Sequence, residues 1–499
     1  MEIELKLACS INALSMFESA VLPTLTSQSK SVVRSQAQLY NEYFDTPDAF
    51  FTQRQMGFRV RARNQKYEQT VKTKGQVVGG LHQRPEYNVD INSASPDLTK
   101  FDAEIWGEHF DLKAINDQLE SLFSTDFERT TFEVTGDNYA LEVVFDVGEV
   151  KREQESLPIC EIELELIRGE PTALFDVAQL LVAHIPCRLS NVTKAARGQQ
   201  LITGRAPEIT LLPTFLALDE SDTTEDAFCK TIQLILGHWQ HHQQVFSLSG
   251  NLKALTQIRE SVLLLLHGVA LYLPVLQCKE LLALHKQLLA LSNIWAWQDQ
   301  LQSIHQLRSK KGPFSRRIPK NQNFMNYLMG RREGLLNAHK PDDLNMHTQS
   351  TQVQLAASRL LLDKPWRIQN SGAEILVKKH AHGWLSQTWQ TMQQSLPRNS
   401  SMDDKQYLAL EVLLRQSLIN GFLLADLFAD NRGQFRAPWL DLFTGINELK
   451  CLKLLHDSAD DIEIEDENDF STWITDKTQS VIYVMEQTRE VAMDADTYW

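Results

Sequence analysis

The sequence predicts an α+β first part built on antiparallel strands and an all-α second part. From Glu2 to Ile167 charged and apolar residues alternate in short runs, with the period of two that a β-strand imposes. Beyond Pro213 apolar residues return at helical spacing, which puts them on one stripe of each helix and predicts one or two helical bundles. Between the two lies Gly204-Arg205-Ala206-Pro207, where neither period continues. The expected organisation is a strand-rich domain over 1–203, a linker over 204–215 and a helical domain over 216–499. A chain of 499 residues exceeds what one core organises, which agrees with more than one domain.

In chain order, Glu2-Ile3-Glu4-Leu5-Lys6-Leu7 is a strand with Glu2, Glu4 and Lys6 on one face and Ile3, Leu5 and Leu7 on the other. Ser10 is placed to cap a helix running through Phe17. Leu39 to Phe44 reads as a strand that stops at Pro47, and Gly57 to Asp90 as three strand-like runs with turns at Lys74-Gly75 and Gly79-Gly80. Those glycines read as hairpin turns rather than a phosphate cradle, because no helix pattern follows them. Asp97 to Ser121 reads as mixed and helical, with Trp106 and Phe110 as core candidates. Strands resume at Thr125–Thr135, Tyr139–Asp146 and Ile159–Ile167, and Pro171 opens a helix through His184. In the second part the helical spacing covers Phe228–Phe246, Leu252–Leu273, Glu280–Leu307, Gln352–Leu362, Ala373–Leu396, Gln406–Phe428, Trp439–Leu455 and Phe470–Val491.

Several strands carry one sign of charge along a face. Glu161, Glu163 and Glu165 are all acidic, Arg59, Arg61 and Arg63 all basic, and Lys72 and Lys74 continue the basic set. Such i, i+2 neighbours sit about 7 Å apart and repel by about 0.6 kcal/mol in water, or about 2–3 kcal/mol at an effective dielectric near 20. An enclosed surface therefore needs counter-ions. Acidic rows facing basic rows make a site for a hard divalent cation and a polyanion together.

These residues resemble the CYTH superfamily, the triphosphate tunnel metalloenzymes. The resemblance rests on Glu2-x-Glu4-x-Lys6, Tyr43-Phe44-Asp45-Thr46-Pro47, Gly57-Phe58-Arg59-Val60-Arg61, Thr70-Val71-Lys72, Arg84-Pro85-Glu86, Phe145-Asp146-Val147-Gly148, Cys160 to Leu166 and Lys194-x-x-Arg197-Gly198, in that order. It implies an eight-stranded antiparallel barrel or tunnel with a charged interior and flanking helices. On it, Glu2, Glu4, Asp146, Glu163 and Glu165 are the metal-binding carboxylates, and Lys6, Arg59, Arg61, Lys72, Lys74, Arg84, Arg129 and Lys194 hold phosphates. The implied cofactor is Mg²⁺, with Mn²⁺ as the alternative. The implied activity is hydrolysis of inorganic triphosphate to pyrophosphate and orthophosphate. The same barrel serves thiamine- or nucleoside-triphosphate hydrolysis and adenylate cyclisation, and a polyphosphate-binding module without catalysis is the alternative of a different class.

The second part resembles the CHAD domain of CYTH–CHAD inorganic triphosphatases, chiefly at Gly421-Phe422-Leu423-Leu424 and Arg436-Ala437-Pro438-Trp439-Leu440-Asp441-Leu442. That resemblance implies a polyphosphate contact through the helices. The stretch after Thr256-x-x-Arg259 departs from it, since Val262-Leu263-Leu264-Leu265-Leu266 stands where basic residues are expected.

The net charge of −15 argues against nucleic-acid binding through bulk charge. Six scattered cysteines without C-x-x-C spacing read as reduced thiols of a cytoplasmic protein. Met1 is followed at once by the charged strand, with no signal-peptide pattern, and the apolar run Val262–Leu273 reads as too short to cross a bilayer. No P-loop spacing occurs. His238, His241 and His242 read as an interhelical face rather than a metal site, Asp457–Asp469 as a solvated acidic connector, and Lys310 to Lys320 as a basic loop.

Overall fold

The computed structural model describes residues 1–64, 66–106, 110–369, 372–428, 431–458, 461–462 and 467–499. The chain forms two compact units. The first is Met1–Ile209 with Gln243–Gly250 and Asp342–Asp363; the second is Thr210–His242, Asn251–Pro341 and Lys364–Trp499.

The first unit holds strands β1 (Glu2–Cys9), β2 (Ser31–Asp45), β3 (Gly57–Arg63), β4 (Lys66–Lys72), β5 (Gln76–Val78), β6 (Leu81–Arg84), β7 (Glu86–Ile91), β8 (Glu120–Thr135), β9 (Ala140–Arg152), β10 (Glu155–Arg168) and β11 (Cys187–Leu189). They are antiparallel in the order β5-β6-β1-β10-β9-β8-β2-β3-β4-β7, with β11 also paired to β1. Closure comes from one segment. β6 pairs with β1 and β7 with β4, and only Pro85 separates β6 from β7, so Leu81–Ile91 joins both ends of the sheet into a tunnel. Pro85 has no N–H to give the ladder, which interrupts the strand at that point. Its carbonyl accepts from Thr73 N at 3.1 Å. Counting β6 and β7 as one broken strand gives the expected eight long strands, with β5 and β11 as short additions.

Alternation sorts the side chains. Leu5, Leu7 and Cys9 of β1 join Phe132, Val143, Ile162 and Leu164 on the outer face, where Phe17, Val21, Leu174 and Leu181 cover them. These last come from a helical segment over Ala13–Gln28 and from the helix Thr172–Val182, which begins at Pro171 as expected. The first helix starts at Ala13 with Asn12, not Ser10, at its N-cap; Ser10 contributes its carbonyl to Ala13 N instead. The helix Thr348–Asp363 belongs to this unit too. It packs on Thr172–Val182 and β11, buries Leu355 in the same core, and Ser358 Oγ donates to Gly79 O at 2.8 Å. At the β5–β6 turn Gly79 and Gly80 both have positive φ, 57° and 89°, the hairpin geometry that matches strand twist. A Cβ on Gly80 would meet Leu189 Cδ2 at 2.9 Å.

The second unit is helical, with Leu252–Leu276, Lys279–Ile294, Gln298–Arg308, Gln322–His339, Val377–Ser395, Asp404–Leu424, Arg432–His456 and Glu467–Asp494. A capping box of Asp403 and Gln406 starts Asp404–Leu424. Val262 to Leu266 are all buried in this unit, and Arg259 donates to Ser292 O at 2.7 Å. The run thus serves as core where a basic surface was the alternative. Contrary to the expectation of a short apolar run, Leu252–Leu276 and Asp404–Leu427 are long and apolar enough to cross a membrane, and 61% and 44% of their most apolar windows are buried inside the protein. His242 Nδ1 pairs with His238 O at 2.7 Å, and His238 Nε2 lies 3.1 Å from Gln257 Oε1. Of the acidic run Asp457–Asp469, residues 459–460 and 463–466 lie outside the described residues.

Candidate functional site

The inner face of the tunnel encloses a cavity of about 490 Å³ whose lining is charged on nearly every strand. Three local features aim the side chains into it. Asp45 ends β2 as a buried carboxylate that accepts from Thr46 N and Phe51 N at 2.9 Å, from Thr52 N at 3.0 Å and from Thr52 Oγ1 at 2.8 Å. That folds Phe51 onto Phe58, with Phe50 in the same core, and so anchors the start of β3, the arginine strand. Thr193 caps the helix Lys194–Thr203, accepting from Ala196 N at 3.1 Å, which puts Lys194 and Arg197 on one face. Gly198 lets that helix sit on Phe123, whose ring would lie 2.2 Å from an added Cβ.

Charge separates into three groups. At one side Asp146, Glu161 and Glu163 are buried and neutralised. Arg129 grips Asp146 through Nε at 2.8 Å and Nη2 at 2.6 Å, and Nη2 also reaches Glu163 at 2.8 Å. Lys194 Nζ lies 2.6 Å from Asp146, 2.5 Å from Glu161 and 3.0 Å from Glu163; Lys6 Nζ lies 2.5 Å from Glu163, and Arg197 Nη1 2.6 Å from Glu161. Burial alone would raise the Glu163 carboxyl, but Lys194, Lys6 and Arg129 outweigh it and hold it well below the usual range.

The second group is a carboxylate rung. The register sets Glu4 opposite Glu165 and Glu165 opposite Glu142, so three adjacent strands carry like charges side by side. Glu165 and Glu142 have no ion pair among the described residues. Burial, then Glu163, Glu4 and Glu142, raise the Glu165 carboxyl above its ordinary value. Next to this rung Lys72 Nζ lies between Glu2 at 2.6 Å and Glu86 at 3.0 Å. Burial raises Glu2 to about 7 despite Lys72, with Glu4 and Glu86 adding to the rise.

The third group is basic. Arg61 and Arg84 line the cavity with no carboxylate partner among the described residues, and Arg59 has Glu86 at 3.4 Å. Arg61 Nε donates to Asn41 Oδ1 at 2.8 Å. Its guanidinium is lowered to about 9, first by burial and then by Arg59 and Arg129. Like-charge crowding on both sides of one cavity is what a bound cation and a bound anion would each relieve. Two carboxylate sets could take a metal ion. Ligand atoms of Asp146, Glu161 and Glu163 lie within 4.8 Å of one another, but lysine and arginine already occupy them. In the rung, Glu4 has Lys6 Nζ at 3.2 Å and Glu2 beside it has Lys72, but Glu165 and Glu142 have no ion pair among the described residues, so the rung keeps uncompensated charge and fits a hard cation better.

Residues 1–199 match the CYTH domain family. The chain carries a CYTH domain. A curated inorganic triphosphatase of Haemophilus influenzae is 36% identical over 200 residues, which cover 40% of this chain and 54% of that one, so the match spans about half of the relative's length. Among solved structures, a Hippeastrum protein named as an adenylyl cyclase and described as having a dominant triphosphatase activity aligns with TM-score 0.29 and 17% identity, over 43% of this chain and 98% of that one. A Bacillus halodurans protein provisionally named an adenylate cyclase aligns with TM-score 0.25 and 18% identity, over 37% and 88%.

Of the residues expected from sequence, the CYTH domain brings Glu2, Glu4, Lys6, Arg59, Arg61, Lys72, Arg84, Arg129, Glu163, Glu165 and Lys194 to the cavity wall. Asp146 lies behind the wall, wholly buried. Lys74 is exposed and does not line the cavity, because β4 ends at Lys72 and alternation stops there. Lys6, Arg129 and Lys194, expected to hold phosphates, are engaged by Glu163, Asp146 and Glu161. His82, Glu68 and Glu142 line the cavity without having been singled out, and Glu86, named only within the Arg84-Pro85-Glu86 motif, lines it without having been given a role. Glu86 follows Arg84 at the strand period, a signal hidden by Pro85 between them. Glu142 is the one charge inside Ala140–Phe145, an otherwise apolar run that reads as a fully buried strand.

Proposed function

We propose that this protein hydrolyses the terminal phosphoryl group of a linear triphosphate, inorganic tripolyphosphate above all, to pyrophosphate and orthophosphate. The observation that carries this reading is the rung Glu4–Glu165–Glu142, where only Glu4 has a lysine beside it and Glu165 and Glu142 have no ion pair among the described residues, sharing one cavity with Arg59, Arg61 and Arg84. The carboxylates of Glu2, Glu4 and Glu165 would hold Mg²⁺, with Glu142 beside them. Bound there, the ion would offset charge on phosphoryl oxygens and lower the pKa of the attacking water. Arg59, Arg61, Arg84 and Lys72 bind the non-bridging oxygens, and their fixed donors hold the chain in line and meet the charge that spreads over the equatorial oxygens as the bond loosens. Lys6, Arg129 and Lys194 act one step back, keeping Glu163 ionised and fixing Asp146 through the pairs from Arg129 and Lys194. No side-chain nucleophile is required.

The 36% identity to an inorganic triphosphatase supports the substrate class. The test is orthophosphate release from tripolyphosphate, ATP, thiamine triphosphate and long-chain polyphosphate, each with Mg²⁺ and with a chelator. Tripolyphosphate should give the highest kcat/KM, and only with metal. A preference for ATP or thiamine triphosphate would move the protein to the organic triphosphates. Binding of long-chain polyphosphate without release of phosphate from any substrate would make it a binding module.

A further inference from the structure

The outer face of the sheet carries a pair of thiols that the proposed reaction does not use. In the antiparallel register of β1 and β10, Lys6 faces Glu163 and Ala8 faces Glu161. One residue further, that register sets Cys9 opposite Cys160. Their sulfurs lie 3.8 Å apart in hydrogen-bond contact. Because Glu4, Lys6, Glu163 and Glu165 point into the tunnel, alternation sends Cys9 and Cys160 the other way, into the apolar layer with Leu7 and Ile162. Cys9 is buried there, while Cys160 is half-buried. On the other side of β1, Cys187 is the register partner of Cys9, but it is wholly buried and burial pushes its thiol up to about 12.

We infer that Cys9 and Cys160 are an oxidisable dithiol, a modification site that reacts with a small two-electron oxidant such as hydrogen peroxide and closes to a cross-strand disulfide. Cys160 reacts first because it is the accessible member. The sulfur contact with Cys9, together with Arg197, lowers the Cys160 thiol against burial and Glu161, while the same contact and burial raise that of Cys9. The Cys160 thiolate attacks a peroxide oxygen, the O–O bond breaks, and sulfenic acid forms as hydroxide leaves, which takes up the proton that the Cys160 thiol gave up and departs as one water. Cys9 sulfur then attacks Cys160 Sγ, the S–O bond breaks, and the S–S bond forms as the second water carries away the Cys9 proton. Two thiols are oxidised and one peroxide is reduced to two waters. The sulfurs must close to about 2.05 Å, and directly opposed positions on adjacent strands already hold Cβ atoms about 4.5–5.5 Å apart, close to disulfide range. The bond would tie β1, with Glu2, Glu4 and Lys6, to β10, with Glu163 and Glu165, and would close a loop between residues 151 positions apart. A loop of that size restricts the unfolded chain strongly, so the oxidised protein should resist unfolding better.

The test treats the full-length chain with a small molar excess of hydrogen peroxide, blocks remaining thiols, and maps linkages by mass spectrometry of a digest made without reductant. The expected result is a Cys9–Cys160 linked peptide and a denaturation midpoint several degrees higher, both reversed by dithiothreitol. Cys160→Ser should show neither, and Cys9→Ala should stop at a Cys160 sulfenic acid that dimedone traps. A Cys9–Cys187 peptide, Cys160 driven to sulfinic acid without the link, or an unreacted pair would each overturn the inference. Wild-type protein alone separates these outcomes if Cys9→Ala does not fold. Linkage is read without turnover, so the result is independent of which triphosphate, if any, the tunnel cleaves.

Discussion

Glu2 and Arg61 show how one cavity makes opposite demands on single residues. Glu2 is raised to about 7 by burial, Glu4 and Glu86 against Lys72, so without metal its charge opposes the folded state. The folded carboxyl binds its proton more tightly than the unfolded one, and stability is therefore lost as pH rises from about 4.5 to about 7. In a chelator, Glu2→Gln should melt with wild type near the lower pH and above it near the higher, as read by thermal denaturation. Mg²⁺ should shrink that gap. A gap that stays constant with pH would show that Glu2 is not crowded. Arg61→Ala removes a forked donor from a multiply charged ligand and should cut kcat/KM for tripolyphosphate by about 10²-fold, on the scale of a charged hydrogen bond of about 1.5–3 kcal/mol. Unchanged kcat/KM in a steady-state assay would remove Arg61 from the site. Glu2, Glu4, Lys6, Arg59, Arg61, Lys72, Glu163 and Glu165 were legible as charges at the strand period, whereas Arg84, Arg129, Asp146 and Lys194 came from the family resemblance. Lys74 misled because the strand had ended, and Glu142 and Glu86 escaped because an apolar run and a proline masked the period.

At the scale of elements, strand lengths were the least legible feature. β2 begins at Ser31 rather than Leu39 because its first half is exposed, so no apolar face marks it. β9 and β10 run past Asp146 and start before Ile159 for the same reason, meeting in a polar hairpin where Glu153 takes positive φ. In the helical unit the expected Glu280–Leu307 helix is two, broken around Trp295-Ala296-Trp297, and Gln322–His339 went unnoticed because its apolar stripe is thin, with only Phe324 and Leu328 buried. The Gly79–Gly80 turn was legible and is demanding. It starts β6, which carries His82 and Arg84, and Gly80 O accepts Lys6 N at 3.2 Å. Gly80→Val should destabilise the protein by about 1–3 kcal/mol, from positive φ and the clash with Leu189. Urea denaturation checks this, and a change below about 0.5 kcal/mol, the size of an ordinary surface substitution, would contradict it.

For the whole molecule, the expected boundary near Pro207 captures where alternation stops, but the strand-rich unit also contains Gln243–Gly250 and Asp342–Asp363. No periodicity announces that a distant helix completes a core; only tertiary packing does. A fragment ending at Leu212 keeps every proposed ligand but loses Leu355, the Ser358–Gly79 bond and the Arg359–Asp176 pair at 2.6 Å. It should retain metal-dependent triphosphatase activity while melting well below the full chain, as read by calorimetry beside an activity assay. Equal melting temperatures would mean that Asp342–Asp363 contributes nothing to the unit.

The central claim is that the carboxylate rung holds the metal that the triphosphate needs. Its most direct measurement is the initial rate of orthophosphate release from tripolyphosphate as Mg²⁺ is titrated, for wild type and for Glu4→Gln. Wild type should rise from near zero to saturation, and Glu4→Gln should stay at least about 10²-fold slower at every Mg²⁺ concentration, because losing a ligand removes several kcal/mol of transition-state stabilisation. Wild-type release that persists in chelator, or a Glu4→Gln rate that matches wild type at saturating Mg²⁺, would contradict it.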